Sequence, residues 1–354
     1  MEYAAGGPVS APVLIVGGGL AGTTLAWTLH FRGQPFVLVD SGDPSSASRV
    51  AAGFVNPITG QRLALSWNYA TFLATAERFY ADVEAILDRK LFMRRPMVRL
   101  FRNELERDRF ARKSGTFGIE TRELSLDASR FAAPLGGFEL PDARQLHVAE
   151  YLRASHAFFG ERVRVARIDP TTLAVGSDHL RVPEWNEAYR VAVFCQGAAG
   201  RANPLFDPLP FAPAKGEMLM LRIPDLNEDR VVNRGVWIVR ESGDIYRAGS
   251  TYDRNRLDTT PTAAGRAEIE TRLREFLQVP FEVVDHVAGV RPILDDRKPT
   301  IGRHPRWNSL ALFNGLGSKG SLQAPYFADQ LANGLSNADA IDSDADLAPP
   351  SEST

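Results

Sequence analysis

The sequence predicts an α/β protein in which one domain has a mostly parallel sheet and a second, α+β domain has a mixed or antiparallel sheet. Residues 12–16 form a continuous apolar run that ends at glycines and precedes an Ala- and Leu-rich segment, as expected of a buried parallel strand and its crossover helix. The same order of strand, glycine loop and helix returns at residues 310–335. Residues 210–253 contain short apolar runs separated by Gly and Pro, which indicates the antiparallel sheet.

The remaining elements follow from the spacing of apolar residues. Helices are predicted at residues 20–31, 67–90, 146–159 and 263–277. Strands are predicted at residues 36–39, 96–101, 117–126, 191–195, 217–223 and 236–239. Residues 336–354 contain four Asp and one Glu but almost no large apolar side chains. They predict a flexible tail, because they cannot bury enough surface to offset the entropy of ordering.

Charge and cysteine content exclude several classes of protein. The 354 residues include 41 Lys and Arg and 43 Asp and Glu, so no overall basic field is available for a nucleic acid or an anionic membrane. Cys195 is the single cysteine, and the six histidines lack metal-ligand spacing, so neither a disulfide framework nor a metal site is predicted. Without a secretory signal or a bilayer-length apolar stretch, we expect a cytoplasmic protein.

The first glycine loop has the spacing Gly17-x-Gly19-x-x-Gly22 between a predicted strand and a predicted helix. In a Rossmann-like, dinucleotide-binding fold, these glycines allow a tight turn, a close approach to the pyrophosphate and close packing of helix on strand. Leu20 and Ala21 open the helix, whose N-terminus attracts anions. The alternative is a glycine-rich turn with a purely structural role.

Only the first glycine loop is followed by an acid placed to bind a ribose. Asp40, with Ser41 beside it, follows the next predicted strand, eighteen residues after the last glycine of the loop. A second motif, Gly315-x-Gly317-x-x-Gly320, precedes only 34 residues, which cannot supply another such strand. The second loop therefore predicts another contact with the same large cofactor. In FAD, a helix N-terminus stabilises the negative charge of the reduced flavin near its C2 carbonyl.

Four blocks of the sequence occur together in a recognisable order. They are the opening strand–loop–helix–strand unit, the small-residue loop at 45–53, residues 236–239 followed by Gly249-Ser250-Thr251, and residues 289–292 followed by Ile301-Gly302 and the second glycine loop. In these blocks the chain resembles the D-amino-acid oxidase superfamily of flavoproteins, particularly bacterial glycine oxidases and their FAD-dependent relatives. The resemblance covers the chain to about residue 335 and implies an FAD-dependent oxidoreductase.

The resemblance also implies which residues contact FAD. The small-residue loop would lie beneath the pyrophosphate and the flavin, the residues after the strand at 191–195 near the adenosine diphosphate, and the second glycine loop near the flavin C2 carbonyl. These residues are Ser46, Arg49, Ala51, Ala52 and Gly53, then Gly197 and Ala198, then Gly315, Gly317, Ser318, Lys319 and Gly320, with Arg291 beside them. The adenine-side valine would fall within residues 163–168. No cysteine lies near Gly289, so FAD is expected to be non-covalent.

With this cofactor, the predicted elements divide into two interleaved domains. Residues 8–84, 141–209 and 287–335 are assigned to a discontinuous FAD-binding domain. Residues 85–140 and 210–286 are assigned to a substrate domain, and residues 336–354 to the flexible tail. No particular oligomeric state is predicted.

Arg291 and Trp237 are the candidate substrate-binding residues. In glycine-oxidase-like enzymes the Arg of Gly-x-Arg-Pro pairs with the substrate carboxylate, and that residue here is Arg291. A guanidinium can hold a carboxylate through two parallel hydrogen bonds, although a salt bridge to Asp295 or Asp296 is the structural alternative. Trp237 stands where the family often has Tyr, and it lacks a hydroxyl acceptor. Its structural alternative is a place in the sheet core.

The resemblance implies FAD-dependent oxidation of a small amino acid or secondary amine acid. Hydride transfer to flavin N5 would give an imine that hydrolyses to the keto product, with O2 as the expected acceptor. Lys319 is the candidate cation that favours reaction with oxygen, and a solvated loop lysine is its alternative.

Two other functions remain open at the level of sequence. The family includes an oxidase domain that acts on a carboxymethylamine in modified transfer RNA, and the Arg-rich stretch at residues 94–112 could receive a nucleic acid. That stretch is interleaved with Glu and Asp, so a solvated charged face is favoured and nucleic acid is not expected. The other candidate is an FAD-dependent dehydrogenase or binding protein without oxidase activity.

Overall fold

The chain folds into two units that are interleaved along the sequence. The computed structural model describes residues 11–207, 209–336 and 345–347. The first unit combines Met1–Pro44, Leu152–Ala212 and Pro292–Thr354. The second unit combines Ser45–Tyr151 and Pro213–Arg291.

The helices and strands are numbered here in chain order. The helices are α1 (Leu20–Phe31), α2 (Tyr69–Leu87), α3 (Glu104–Lys113), α4 (Val148–Phe159), α5 (Ala263–Arg274) and α6 (Gly320–Ser336). The strands are β1 (Val13–Val16), β2 (Phe36–Asp40), β3 (Phe54–Val55), β4 (Ile58–Thr59), β5 (Ala64–Leu65), β6 (Phe92–Arg94), β7 (Met97–Leu100), β8 (Arg122–Glu123), β9 (Gly137–Leu140), β10 (Arg144–Leu146), β11 (Val163–Val165), β12 (Ala174–Val175), β13 (Leu180–Val182), β14 (Glu187–Tyr189), β15 (Val191–Phe194), β16 (Ala214–Arg222), β17 (Val231–Arg234), β18 (Val236–Ser242), β19 (Ile245–Gly249), β20 (Glu282–Arg291), β21 (Thr300–Arg303) and β22 (Leu310–Asn314).

The first unit is built on a mostly parallel sheet in the order β11-β2-β1-β15-β22-β21. The pairs from β11 to β22 are parallel, and only β21 runs antiparallel to its neighbour β22. Every residue of β1 and β22 is buried, which explains why both strands are continuous apolar runs in the sequence. Helices α1 and α6 pack against each other.

The second unit contains a mixed sheet in the order β20-β16-β19-β18-β17-β7-β9-β8. Strands β17 and β7 are parallel, whereas the other neighbours are antiparallel. Leu219 and Ile238 of this sheet share a buried cluster with Ile269 and Leu273 of α5. The predicted fold class, a Rossmann-like α/β domain with a second α+β domain, is confirmed.

Three residues of the predicted flexible tail are ordered, so the prediction is wrong for residues 345–347. The N–H of Ile301 donates to Ala345 O at 2.8 Å, and the N–H of Leu347 donates to Ile301 O at 2.8 Å. Ala345 is buried. The edge strand β21 offers unpaired backbone groups that a short segment can satisfy, and no apolar run is needed for that pairing. Residues 337–344 and 348–354 lie outside the described residues.

The domain boundaries and one predicted strand differ from the prediction. Residues 45–84, 141–151 and 287–291 belong to the second unit by their contacts, and residues 210–212 belong to the first. Strand β3 pairs with β10, which also pairs with β6, and this pairing places residues 45–84 in the second unit. Within the predicted strand at 117–126, only β8 is a strand. Phe117 is buried, but it belongs to a loop that turns at Gly118, which has a φ of +65°. The assignment of FAD and substrate to particular domains stays a prediction.

Candidate cofactor and substrate sites

The first glycine loop turns sharply at the carboxyl end of β1. Gly17 has a φ of +112°, and its N–H donates to Val39 O at 2.8 Å. A Cβ added at Gly22 would lie 1.9 Å from the Gly17 carbonyl oxygen. Because a side chain would force the helix away from the strand, Gly22 allows the close packing that a dinucleotide loop needs.

The start of α1 suits a bound anion. Gly19 is the N-cap residue, and within the described ranges no side chain caps this helix. The first turn, which includes Leu20 and Ala21, carries no acidic side chain. Backbone N–H groups at a helix N-terminus carry a partial positive charge. The residues present therefore fit a pyrophosphate group such as that of FAD.

Asp40 lies next to the first glycine loop at the end of β2. A Cβ added at Gly18 would lie 2.7 Å from the Asp40 Cβ, so the loop passes close to the acid. The Asp40 Oδ1 accepts from the Gly42 N–H at 3.2 Å, and Ser41 between them is exposed. Strand β11, in the predicted adenine-side range, pairs with β2 beside Asp40.

The second glycine loop brings the start of α6 to the start of α1. Gly315 and Gly317 have φ of +83° and +55°, and the Gly317 N–H donates to Pro292 O at 3.0 Å. A Cβ added at Gly320 would lie 2.6 Å from the Leu20 Cδ2. The two helix starts are thus neighbours within the first unit, which is compatible with one ligand that spans both loops.

Lys319 is partly buried in this second loop, and Ser318 beside it is exposed. Its backbone N–H donates to Leu316 O at 3.1 Å. Burial, with a smaller effect from the positive charge of Arg297, lowers the pKa of Lys319. A partly desolvated cation at a helix start is compatible with the predicted role of Lys319 in the reaction with oxygen. It fits the alternative, a freely solvated loop lysine, less well.

Gly197 and Ala198 follow β15 and lie beside the second glycine loop. Gly197 has a φ of +56°, and its carbonyl accepts from the Asn314 Nδ2 at 3.0 Å. Asn314 is the last residue of β22, directly before Gly315. The first unit therefore gathers three of the predicted cofactor-binding segments at the carboxyl ends of β1, β15 and β22, where ligands bind in open parallel sheets.

The small-residue loop lies in the second unit. Gly53 has a φ of +74°, and a Cβ there would lie 1.9 Å from the Leu146 carbonyl oxygen. The carbonyl of Ala52 accepts from the Gln145 Nε2 at 2.9 Å, and that of Ala51 accepts from the Arg247 Nη1 at 3.2 Å. The Arg49 N–H donates to Ser46 O at 2.9 Å. These contacts hold the loop in one shape.

Arg291 ends β20 and is held by the segment that follows β19. Its Nη2 donates to the Ser250 Oγ at 2.6 Å and to Thr251 O at 3.3 Å. A Cβ added at Gly216 would lie 2.1 Å from the same Nη2. Glycine at position 216 therefore makes the space that the guanidinium occupies.

Arg291 has no carboxylate partner among the described residues of its unit. Burial lowers the pKa of its guanidinium, and the only charged-group effect opposing this comes from Tyr252. Asp296, one of the acids proposed as a structural partner, accepts from the Lys298 N–H at 2.9 Å in the first unit. A partly buried cation held by neutral oxygens is an arrangement that favours an anionic ligand.

Trp237 is partly buried in β18 and packs against Phe54 with ring centroids 4.9 Å apart. It pairs with Gly249 across β18 and β19, directly before Ser250. Trp237 therefore packs in an apolar cluster, as its structural alternative predicts. Its role in substrate binding stays a prediction.

Ser250, Thr251, Tyr252 and Gly216 complete the surroundings of Arg291, and sequence reasoning assigned none of them to the site. The Arg291 Cζ lies over the Tyr252 ring, 5.6 Å from its centroid. A sequence signal existed for Ser250 and Thr251, since both belong to one of the four blocks. Gly216 had none, because its role depends on the pairing of β16 with β20.

Residues 12–333 match the model of the FAD dependent oxidoreductase family, DAO. This chain belongs to that family. The predicted resemblance to the D-amino-acid oxidase superfamily is confirmed. The protein is therefore an FAD-dependent oxidoreductase, and the glycine loops described above fit the cofactor of the family.

Individual relatives are more distant. The chain is 24% identical over 360 residues to the tRNA 5-methylaminomethyl-2-thiouridine biosynthesis bifunctional protein MnmC of Azoarcus sp. (strain BH72), covering 91% of this chain but only 56% of that relative. It is 25% identical to the glycine oxidase of Pseudomonas putida, with 96% of this chain and 99% of the relative covered. The structure of glycine oxidase from Geobacillus kaustophilus has the same fold, with a TM-score of 0.78, 22% identity and coverage of 94% and 96%.

Among the described residues, no helix combines the length and the apolar character that crossing a membrane requires. In the same part of the chain, no group of three or more His, Cys, Asp or Glu side chains is arranged to hold a metal ion.

Proposed function

We propose that this oxidoreductase acts on a small amino acid or a secondary amine acid, and that Arg291 binds the substrate carboxylate. The observation that carries the proposal is the partly buried guanidinium of Arg291, which neutral oxygens hold in place and no carboxylate of its unit neutralises. The α-carboxylate common to amino acids and N-substituted glycines would satisfy this cation through paired hydrogen bonds. The full-length glycine oxidase relative supports this class of substrate.

The protein side chains bind and orient the cofactor and the substrate. FAD, when bound without a covalent link, supplies the two-electron acceptor that amine oxidation needs. Arg291 fixes the orientation of the substrate carboxylate, and the neutral form of the substrate amine removes the need for a dedicated general base. The starts of α1 and α6 supply positive ends of helices to the cofactor. Asp40 accepts from the ribose, and Trp237 forms part of the substrate pocket.

The test is oxygen consumption with a panel of amino acids and N-alkyl glycines, in the wild type and in Arg291→Ala and Arg291→Lys. We expect Arg291→Ala to raise KM by about two orders of magnitude, since losing a charged hydrogen-bond pair costs roughly 2–3 kcal/mol. Arg291→Lys keeps the positive charge but not the planar, paired donors of a guanidinium, so its KM should lie between those of the wild type and Arg291→Ala. The flavin absorption spectrum should stay nearly the same in both variants. Loss of flavin from Arg291→Ala would contradict the assignment.

A second candidate substrate is a carboxymethylamine attached to a transfer RNA. The MnmC relative supports it by name, although this chain spans little more than half of that protein. The Arg-rich stretch gives little support, because Arg99 bonds to the buried Glu106 and Arg109 donates to Gln61 O. Filter binding with transfer RNA at moderate salt distinguishes the candidates: tight binding would favour the RNA substrate, and its absence would dispose of it.

The electron acceptor separates an oxidase from a dehydrogenase or an FAD-binding protein. We propose O2 as the acceptor, with a cytoplasmic location in keeping with the single, buried Cys195. Substrate-dependent bleaching of the flavin without oxygen uptake would favour the dehydrogenase. No bleaching with any amine acid would favour a binding protein.

A further inference from the structure

Tyr252 is an exposed aromatic residue held against a partly buried cation. Its side chain is 54% exposed, and the Arg291 Cζ lies over its ring at 5.6 Å from the centroid. On the same ring, the Arg254 Cζ lies 5.7 Å from the centroid, and the Arg254 Nη2 donates to the Tyr252 Oη at 3.5 Å. Two guanidinium groups therefore lie within cation–π distance of the ring of an exposed residue.

The backbone on both sides of Tyr252 is fastened to β16. Thr251 accepts from the Glu217 N–H through its Oγ1 at 2.9 Å, and its own N–H donates to Glu217 O at 3.3 Å. Asp253 and Lys215 exchange two backbone hydrogen bonds, at 2.7 and 3.0 Å. The backbone that carries the Tyr252 side chain is therefore held by its pairing with β16.

Buried charged side chains of β16 hold the rest of the loop, residues 258–262, in place. Lys215 is fully buried, and its Nζ lies 2.7 Å from the Asp258 Oδ1 and bonds to Thr260 O. The hydrogen bond from Lys215 lowers the pKa of Asp258. The buried carboxylate of Glu217 accepts from the N–H and the hydroxyl of Thr262, at 2.8 and 2.9 Å. Alternate residues of a strand face opposite sides, so these charges lie on the side of β16 away from Gly216 and Arg291.

We infer that Tyr252 is a specificity-determining residue of the Arg291 site. The inference rests on the proposed function, in which Arg291 binds a carboxylate. Carboxylates bind a guanidinium along its edge, and aromatic rings bind its face. The ring beside Arg291 offers an apolar surface to the group attached next to the carboxylate. The site therefore prefers amine acids with an aliphatic substituent over those with none.

The test measures binding of three unreactive carboxylates to the FAD-loaded full chain by isothermal titration calorimetry. The probes are acetate, propanoate and 3-methylbutanoate, and the variants are Tyr252→Phe and Tyr252→Ala. The wild type and Tyr252→Phe should bind 3-methylbutanoate more tightly than propanoate, and propanoate more tightly than acetate. In Tyr252→Ala the ratio of the dissociation constants should fall roughly fivefold, because about 1 kcal/mol of apolar contact is lost. The control is Leu105→Ala, which removes another exposed apolar side chain, 58% exposed, from the same unit.

The outcomes separate this inference from the proposed function. If Arg291→Ala abolishes carboxylate binding but Tyr252→Ala keeps the wild-type preference, Tyr252 does not determine specificity and the inference is overturned. The same conclusion follows if Tyr252→Phe loses as much preference as Tyr252→Ala. If the wild type binds none of the three probes, the proposed carboxylate site fails, and the inference fails with it.

Discussion

Gly22 shows how one missing methyl group determines the shape of the cofactor loop. An alanine Cβ there would lie 1.9 Å from the Gly17 carbonyl oxygen and 3.1 Å from the Ile15 Cγ2. Helix α1 would have to move away from β1, and its start would no longer meet the loop.

We therefore expect Gly22→Ala to lose FAD on gel filtration and to be destabilised by about 1–3 kcal/mol, the usual effect of overpacking. The flavin-to-protein absorbance ratio and urea unfolding measure the two effects. Gly115→Ala is the control, since a Cβ there meets nothing within 4 Å. Full retention of FAD by Gly22→Ala would contradict the assignment of this loop.

Lys319 allows a prediction about pH. Burial and Arg297 lower its pKa from the usual 10.5, so the cation is lost at a lower pH than for an exposed lysine. If this cation promotes reaction with oxygen, oxygen uptake should fall as the pH rises through that lowered pKa. In Lys319→Met the rate should be low and lack this fall, whereas Lys319→Arg should keep the rate at high pH. An unchanged profile in Lys319→Met would remove Lys319 from the mechanism.

At the scale of residues, the sequence could identify groups whose role depends on local spacing. The glycines of both loops lie between a strand and a helix, and Asp40 ends the strand that follows the first helix, so their pattern predicts their surroundings. Ser250 and Tyr252 contact Arg291 from about forty positions away along the chain. Their partnership depends on long-range strand pairing, which no local pattern records.

At the scale of elements, the pairing of β16 with β20 positions Arg291. Ala214 lies opposite Arg291 and Gly216 opposite Gly289 in this antiparallel pair. The guanidinium then crosses Gly216, where a Cβ would lie 2.1–2.6 Å from three of its atoms. The register and the glycine act together, because a shift by one residue would place a side chain under the guanidinium.

Gly216→Ala should therefore displace the guanidinium without disturbing the FAD-binding loops. We expect KM for amine acids to rise at least as much as in Arg291→Lys, with flavin content unchanged. Steady-state kinetics and the flavin spectrum measure both quantities. Wild-type kinetics in Gly216→Ala would mean that Arg291 does not bind the substrate in the position seen here.

Elements with strong periodicity were predictable, and weakly patterned ones were not. Helix α1 and strands β1 and β22 lie where their apolar runs predict them. The predicted strand at 117–126 was wrong for most of its length, because Phe117 and Ile119 alternate into an apolar cluster from a loop. Alternation of buried side chains resembles a strand even where the backbone has no partner to pair with.

At the scale of the whole molecule, the interleaved arrangement could be predicted but its boundaries could not. The return of the strand–loop–helix order at the C-terminal end indicated that the first domain closes late in the chain. Residues 45–84 join the second unit through the pairing of β3 with β10, which links positions about ninety residues apart. Residues 345–347 pair with β21 through backbone groups, and Leu347 packs against a buried cluster of the first unit. The mostly polar composition of residues 336–354 did not reveal this order.

The most direct measurement of the central claim, that the two glycine loops hold one non-covalent flavin, is the flavin content of the purified chain. The protein is precipitated with acid, and flavin is quantified and identified in the supernatant and the pellet. We predict about one FAD per chain, all of it in the supernatant, in keeping with a single extended dinucleotide site. A colourless protein that takes up no added FAD, or a flavin that stays with the pellet, would contradict the account.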